Sequence, residues 1–335
     1  MILPRLLAKE LFPTGIALVL AYCSLIQGAA YAKDDYPTRP VKLVVPYPPG
    51  GGTDAVARIL SDKLATKLGQ PFIVDNKPGA AGIIGTDSVA KAKGDGYTLV
   101  VGLSNSLLTN QFLYSKLPYS PTKDFALVYQ IASAPLVLAV HPSVPVNDVN
   151  SFIQYLQKNK GALNYGSYGT GSYSHLASAQ LSKAYNADMT HIPYKGEAPM
   201  IQELLSGGIQ MGFASTLVVK QHLDAGKLKV LGVSGAKRVK LLPNVPTLSE
   251  LGLKDEIFDI IGWIALAAPA STPKPIQQQL ARELGNIVKS PEFAARVEGF
   301  GFEIIDSSPE RFQTQYNKEM PVWERLIRQA DIRLD

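Results

Sequence analysis

A chain of 335 residues with 46% hydrophobic and 18% charged side chains can fill the cores of two α/β domains, and it lies outside disordered and fibrous compositions. The net charge of +5 is modest and the basic residues are scattered, with no basic–aromatic stripe, which argues against nucleic acid as a partner. Cys23 is the one cysteine, so past the N-terminal segment there is no thiol for disulfides, thiol catalysis or zinc–thiolate centres.

Arg5 and Lys9 precede the apolar run LFPTGIALVLAYCSLIQGAA, and Ala30-Tyr31-Ala32 supplies a small-x-small processing site. Residues 1–32 therefore read as a signal peptide cleaved after about Ala32. A membrane anchor is the alternative; Pro13, Gly15 and the A-x-A site favour cleavage, and Tyr22 before Cys23 does not fit a lipoprotein box. An exported protein without disulfides is expected in a bacterial periplasm.

The chain then alternates strands and helices: VKLVVPY, AVARILSDKLATKL, FIVDN, a helix from GAAG through VAKAK, and YTLVVGL. The order recurs after LVLAVHP, with VNSFIQYLQKN, LNYGS, SHLASAQLSKAY, MTHIPY, EAPMIQELLSG, IQMGFA, VVKQHLDAG and KVLGVS. WIALAAP is an isolated strand, and three helical stretches, PIQQQLARELGNIVKS, PEFAARVEGFG and PERFQTQYNKEMPVWERLIRQA, close the chain. Two βαβ halves predict mostly parallel, doubly wound sheets flanked by helices. The late strand predicts a return to the first lobe: lobe 1 from 33–134 and 241–335, with lobe 2, 135–240, inserted.

Each half opens on a glycine-bearing strand-to-helix loop, VVPYPPGGGTD and GSYGTGS. A helix start leaves amides unpaired, and glycines admit a ligand to the backbone. Tyr47, Gly51, Gly52, Thr53 and Asp54 are candidates in the first loop, with Asp54 also able to cap the helix. Ser167, Tyr168, Gly169, Thr170, Gly171 and Ser172 are candidates in the second, and His175 follows them. Neither loop holds Lys or Arg, which suits a carboxylate held by dipoles and hydroxyls; a plain turn with a helix cap is the alternative. PPGGGTD is neither G-x-x-x-x-G-K-[ST] nor G-x-G-x-x-G, and no G-x-S-x-G or H-E-x-x-H occurs. Ser104, Asn105, Ala214 and Ser215 end the third strand of each half and join the candidates. Tyr173 and Lys195 stand near them with open roles. His141, His191 and His222 have no partner at metal-ligand spacing, so no metal or cofactor is expected.

YPTRPVKLVVPYPPGGGTDAVAR, LGQPFIVDNKPGAAGIIG, LNYGSYGTGSYSHLA, HIPYKGEAP and LPNVPTLSELGL occur in an order that resembles the extracytoplasmic solute receptors of tripartite tricarboxylate transporters, the Bug receptors. The resemblance covers essentially all of the chain beyond residue 32. It implies a two-lobed fold of the periplasmic-binding-protein type II kind, with a ligand cleft between the lobes. It also implies a small carboxylate ligand gripped by the loops at 47–54 and 167–175, a two-component membrane permease as partner, and a monomer. Two departures stand out. Tyr47 replaces a frequent Phe, and Ala214 stands where many relatives carry an acid, which points away from an amino acid and towards an aromatic carboxylate. The expected function is therefore binding without catalysis. An orphan receptor serving a membrane sensor is one alternative, and a serine hydrolase using Ser172 or Ser174 with His175 is another.

Overall fold

The first strand, β1 (Val41–Val45), shows only Lys42 to solvent, as a strand covered by helices on both faces must. In the computed structural model, which describes residues 36–330, 332 and 334, β1 pairs in parallel with β2 (Phe72–Asn76) and β3 (Thr98–Leu103). The crossovers are α1 (Gly52–Leu68) and α2 (Ile83–Ala90). A five-residue π-turn, Asn105–Thr109, and the short α3 (Asn110–Leu113) follow β3. The ten-residue β4 (Phe125–Ala134) then runs into β5 (Leu136–Val140) across Pro135 alone. Proline has no N–H to give a ladder, and here the chain leaves one sheet and enters the other.

The second sheet is built from β5, β6 (Asn164–Ser167), β7 (Thr190–Pro193), β8 (Met211–Ser215) and β9 (Lys229–Val233), in the order β7-β6-β8-β5-β9. Its helices are α4 (Val149–Lys158), α5 (Tyr173–Ala184), α6 (Glu197–Ser206) and α7 (Thr216–Asp224). The chain then returns as β10 (Gly262–Pro269), α8 (Lys274–Val288), α9 (Pro291–Glu298), β11 (Glu303–Ile304) and α10 (Pro309–Ala330). WIALAAP is thus no marginal strand: β10 lies between β3 and β4, antiparallel to both, in the six-stranded order β11-β4-β10-β3-β1-β2.

Both sheets are mixed. A reversed strand, β10 in the first and β5 in the second, separates co-directional neighbours, and the edge strand β11 runs with β10, so parallel pairing is confined to β1 with β2 and β3 and to β6 with β7 and β8. The sequence reading also passed over β4, and it returned the chain to the first lobe at 241, too early. Leu248 N–H donates to the Val233 carbonyl at 2.9 Å, and Tyr173 Oη donates to the Ile257 carbonyl at 2.7 Å. The stretch from 247 to 258 therefore packs on the second sheet. The expected signal segment lies outside the described residues.

The last helix closes the first lobe. Phe312, Tyr316, Trp323 and Ile327 recur at helical spacing and are buried along one stripe of α10. Phe312 meets Trp263 of β10 edge-on at 5.0 Å, and Trp323 meets Tyr173 of α5 edge-on at 6.3 Å, so α10 touches both lobes. Trp263 Nε1 donates to Glu319 Oε2 at 2.7 Å, which satisfies a carboxylate that burial drives towards its neutral form. Trp263→Ala is expected to cost about 3–5 kcal/mol, because it opens a cavity and strips Glu319 of a donor. Urea denaturation measures this; a loss under 1 kcal/mol would contradict the packing.

Candidate functional site

Strands β1 and β3 of the first lobe end at a cleft, and so do β6 and β8 of the second. After β1, Pro46–Gly51 turn the chain into α1. Asp54 ties this loop: its Oδ2 accepts from the Gly50 amide and from Arg58 Nε, each at 3.0 Å, and its Oδ1 accepts from Asn76 Nδ2 at 3.0 Å. Burial alone would raise the Asp54 pKa, yet these donors hold it below its usual value. Asp54 is therefore a staple for the loop and does not line the cavity, and Gly50 spends its amide on it. Gly52 opens α1, and a Cβ there would sit 2.4 Å from the Phe302 ring, so only glycine fits.

After β3, Ser104 and Asn105 enter the π-turn at the cleft wall. Tyr47 Oη donates to Asn105 Oδ1 at 2.5 Å, and Asn105 Nδ2 donates to the Ala81 carbonyl at 3.0 Å. The Tyr47 phenol is pushed up by burial and stays neutral.

The cavity between the lobes is walled by Tyr47, Gly51, Gly52, Thr53, Ser104 and Asn105 from one side and by Tyr168, Tyr173, Glu197 and Ser215 from the other. Pro48, Leu103, Ala134, Leu136, Gly196, Gly262, Ile264 and Phe302 complete the lining. It leaves about 60 Å³ for the centres of water molecules, room for a few waters or a short organic acid. Glu197 opens α6, and its carboxylate accepts from the amide and, at 3.0 Å, the hydroxyl of Ser215, the N-cap of α7. The start of α1 approaches it from the opposite lobe, where a Cβ on Gly51 would lie 3.7 Å from Glu197 Oε2. As a residue Glu197 is part-buried, but its carboxylate is enclosed, and that burial raises its pKa against the donors around it.

The second glycine loop is turned differently. Gly169 and Thr170 line a neighbouring chamber of about 230 Å³, which shares Tyr47, Pro48, Tyr168 and Gly196 with the main cavity. Gly171 donates its amide to His175 Nδ1 at 3.0 Å, and Ser172 Oγ accepts from the His175 amide at 3.3 Å. Ser167 Oγ meets His191 Nε2 at 2.7 Å, and the His175 and His191 rings stack at 3.9 Å. Ala214 is buried in β8 opposite Val137. Ser167, Gly171, Ser172, His175 and Ala214 thus support the site from behind and do not line it. Ser174 Oγ donates to the Gly166 carbonyl at 3.3 Å, so both candidate serines spend their hydroxyls on backbone groups, away from the imidazole. Among the described residues no group of three or more His, Cys, Asp or Glu could hold a metal ion. No helix among them is long and apolar enough to cross a membrane.

Residues 56–332 match the model of the tripartite tricarboxylate transporter family receptors. The chain belongs to this family. The receptor is 35% identical over 314 residues to the UPF0065 protein in the tcbD-tcbE intergenic region of Pseudomonas sp. strain P51, covering 93% of this chain and 92% of that one. Among solved structures, the periplasmic binding protein BugD superposes with TM-score 0.84 at 33% identity, over 89% of this chain and 99% of its own. Rpa4515 of R. palustris, solved with adipate, superposes with TM-score 0.85 at 33% identity over the same shares. Family and fold are those of solute-binding proteins, and the fold class read from the sequence holds.

In the receptor, the sequence candidates that reach the main cavity are Tyr47, Gly51, Gly52, Thr53, Ser104, Asn105, Tyr168 and Ser215. Glu197 was missed. Its signal was an acid just after Gly196 in KGEAP, which reads equally as an ordinary charge at a helix start.

The stacked histidines give the receptor an acid-sensitive support. Burial lowers the His175 pKa from 6.5 to about 4, and burial together with the His175 charge lowers His191 to about 3. The unfolded chain therefore takes up these protons first. Stability from the pair is complete above pH 6.5 and falls as pH drops towards 4 and then 3. Thermal midpoints are expected to fall between pH 6.5 and 4.5, where most carboxylates stay ionised, and His191→Phe should flatten that slope. An equal slope in the variant would contradict the assignment.

Proposed function

We propose that the receptor captures a small carboxylate in the cleft between its lobes and delivers it to a two-component membrane permease. The observation that carries this reading is convergence: the first turn of α1, with Gly51, Gly52 and Thr53, and the N-cap of α7 at Ser215 face one cavity from different lobes. Helix starts favour anions through unpaired amides and the local dipole. Tyr47, Tyr168 and Tyr173 add flat walls and hydroxyl-bearing rings. Adipate bound to a relative that superposes over most of the chain supports the ligand class. A di- or tricarboxylate or an aromatic carboxylate is the range considered, with binding and closure as the whole of the function.

A ligand held by both lobes stabilises the closed form over the open one, which gives a permease something to read. Residues 1–32 act as the export signal on this reading, the working location is the periplasm, and the receptor works as a monomer without a cofactor.

A thermal-shift screen of short carboxylates and their amides tests the reading. A ligand at about 100 times its Kd adds about 2.7 kcal/mol and raises the midpoint visibly. Carboxylates are expected to shift it while the fully neutral diamides do not. Equal shifts with acid and diamide, or none with any acid, would overturn the carboxylate grip.

A further inference from the structure

Glu197 is the one ionisable Asp, Glu, Lys, Arg or His side chain lining the main cavity among the described residues, and Lys195 lines only the neighbouring chamber. A pocket built only to hold a dianion would be expected to place a cation there, or no charge. This one places a carboxylate at the point where an anion would be most welcome. The amide and hydroxyl of Ser215 already serve it. These are the groups at the start of α7 that a ligand carboxylate would otherwise compete for. Two donors leave a carboxylate with about two open acceptor positions, and Glu197 lies along the cavity wall.

We propose that Glu197 is the specificity-determining residue of the cleft, selecting a short carboxylate whose other end donates a hydrogen bond, an ammonium or amide group, over a dicarboxylate of the same length. The ligand carboxylate is left the first lobe's wall at Thr53 and Ser104, and the donor faces Glu197. A second ligand carboxylate at that end shares an enclosed space with the Glu197 carboxyl, and keeping both ionised a few ångströms apart costs about 10-fold to 100-fold or more in affinity. The acid position that Ala214 leaves empty of charge is beside the point, because Ala214 faces the core. A different element, the start of α6, brings a carboxylate to the cleft.

This inference rests on the carboxylate grip of the reading above but moves the ligand away from the di- and tricarboxylates in its range, and the test separates the two. Isothermal titration of the purified protein at pH 7 would use length-matched sets of four to six carbons: a dicarboxylate, its monoamide, the corresponding amino-monocarboxylate and the plain monocarboxylate. The amino or amide ligand is expected to bind at least about 10-fold more tightly than the dicarboxylate. Glu197→Gln should erase or invert that ratio, while Glu197→Asp, which keeps the charge, should retain its direction. Circular dichroism and the ligand-free midpoint report whether each variant is folded; if Glu197→Gln is not, the wild-type and Glu197→Asp ratios decide. A dicarboxylate preferred by the wild type, or a ratio that folded Glu197→Gln leaves unchanged, overturns the role of Glu197 while the carboxylate reading stands. If no member of any set binds the wild type, both fall.

Discussion

An α-helix cannot pair the amides of its own first turn, and the receptor is organised around that shortfall. The start of α1 belongs to one lobe and the N-cap of α7 to the other, and both face the cleft, where Glu197 already caps the α7 end. Everything near it serves the aim of those two ends. Asp54 holds the first loop in shape, Asn105 couples Tyr47 to the Ala81 carbonyl, and the glycine at 52 makes room for Phe302. The Glu197 carboxylate caps the α7 end and faces the α1 end at Gly51. Charge selection and lobe contact are thereby joined in one residue.

The lobes meet where side chains have been reduced to nothing. A Cβ at Gly196 would fall 2.6 Å from Pro48, one at Gly301 would fall 2.5 Å from Thr216 Cβ, and one at Gly169 would fall 3.3 Å from Ala81 Cα. Gly196 and Gly169 also hold φ of 125° and 148°, in the region that favours glycine. The glycines that stand out in the sequence thus have two tasks. Gly51 and Gly52 open the backbone to the cavity, while Gly169 and Gly196 let the rims of the two lobes approach.

Much of the fold was legible because amphipathic helices and glycine breaks carry local signals. The closing helix PERFQTQYNKEMPVWERLIRQA and the loop before α1 could be read directly. The strand FALVYQIASA could not, since a strand covered on both faces has no alternation and this one has no glycine or proline before Pro135. The return point was misplaced because Leu248 and Ile257 reach the second lobe through contacts distant in sequence. In the site, the first loop and the ends of β3 and β8 were legible from motif and position. The second loop was found but its aim was not. Whether Gly171 and Ser172 face a ligand or His175 depends on a turn of the backbone that no residue type announces. Glu197 was hidden for the opposite reason, because an acid at a helix start is commonplace.

A ligand whose carboxylate sits at the first lobe's wall and whose other end reaches Glu197 across the cleft is expected to close the lobes. With Cys23 the sole cysteine, and that in the expected signal, one introduced cysteine on each lobe can carry a dye pair. Single-molecule energy transfer across the cleft would then follow closure directly. Titration with a carboxylate that binds should move the population towards the short-distance state and saturate with the Kd measured by calorimetry. A saturating ligand that leaves the distance distribution unchanged would contradict the account.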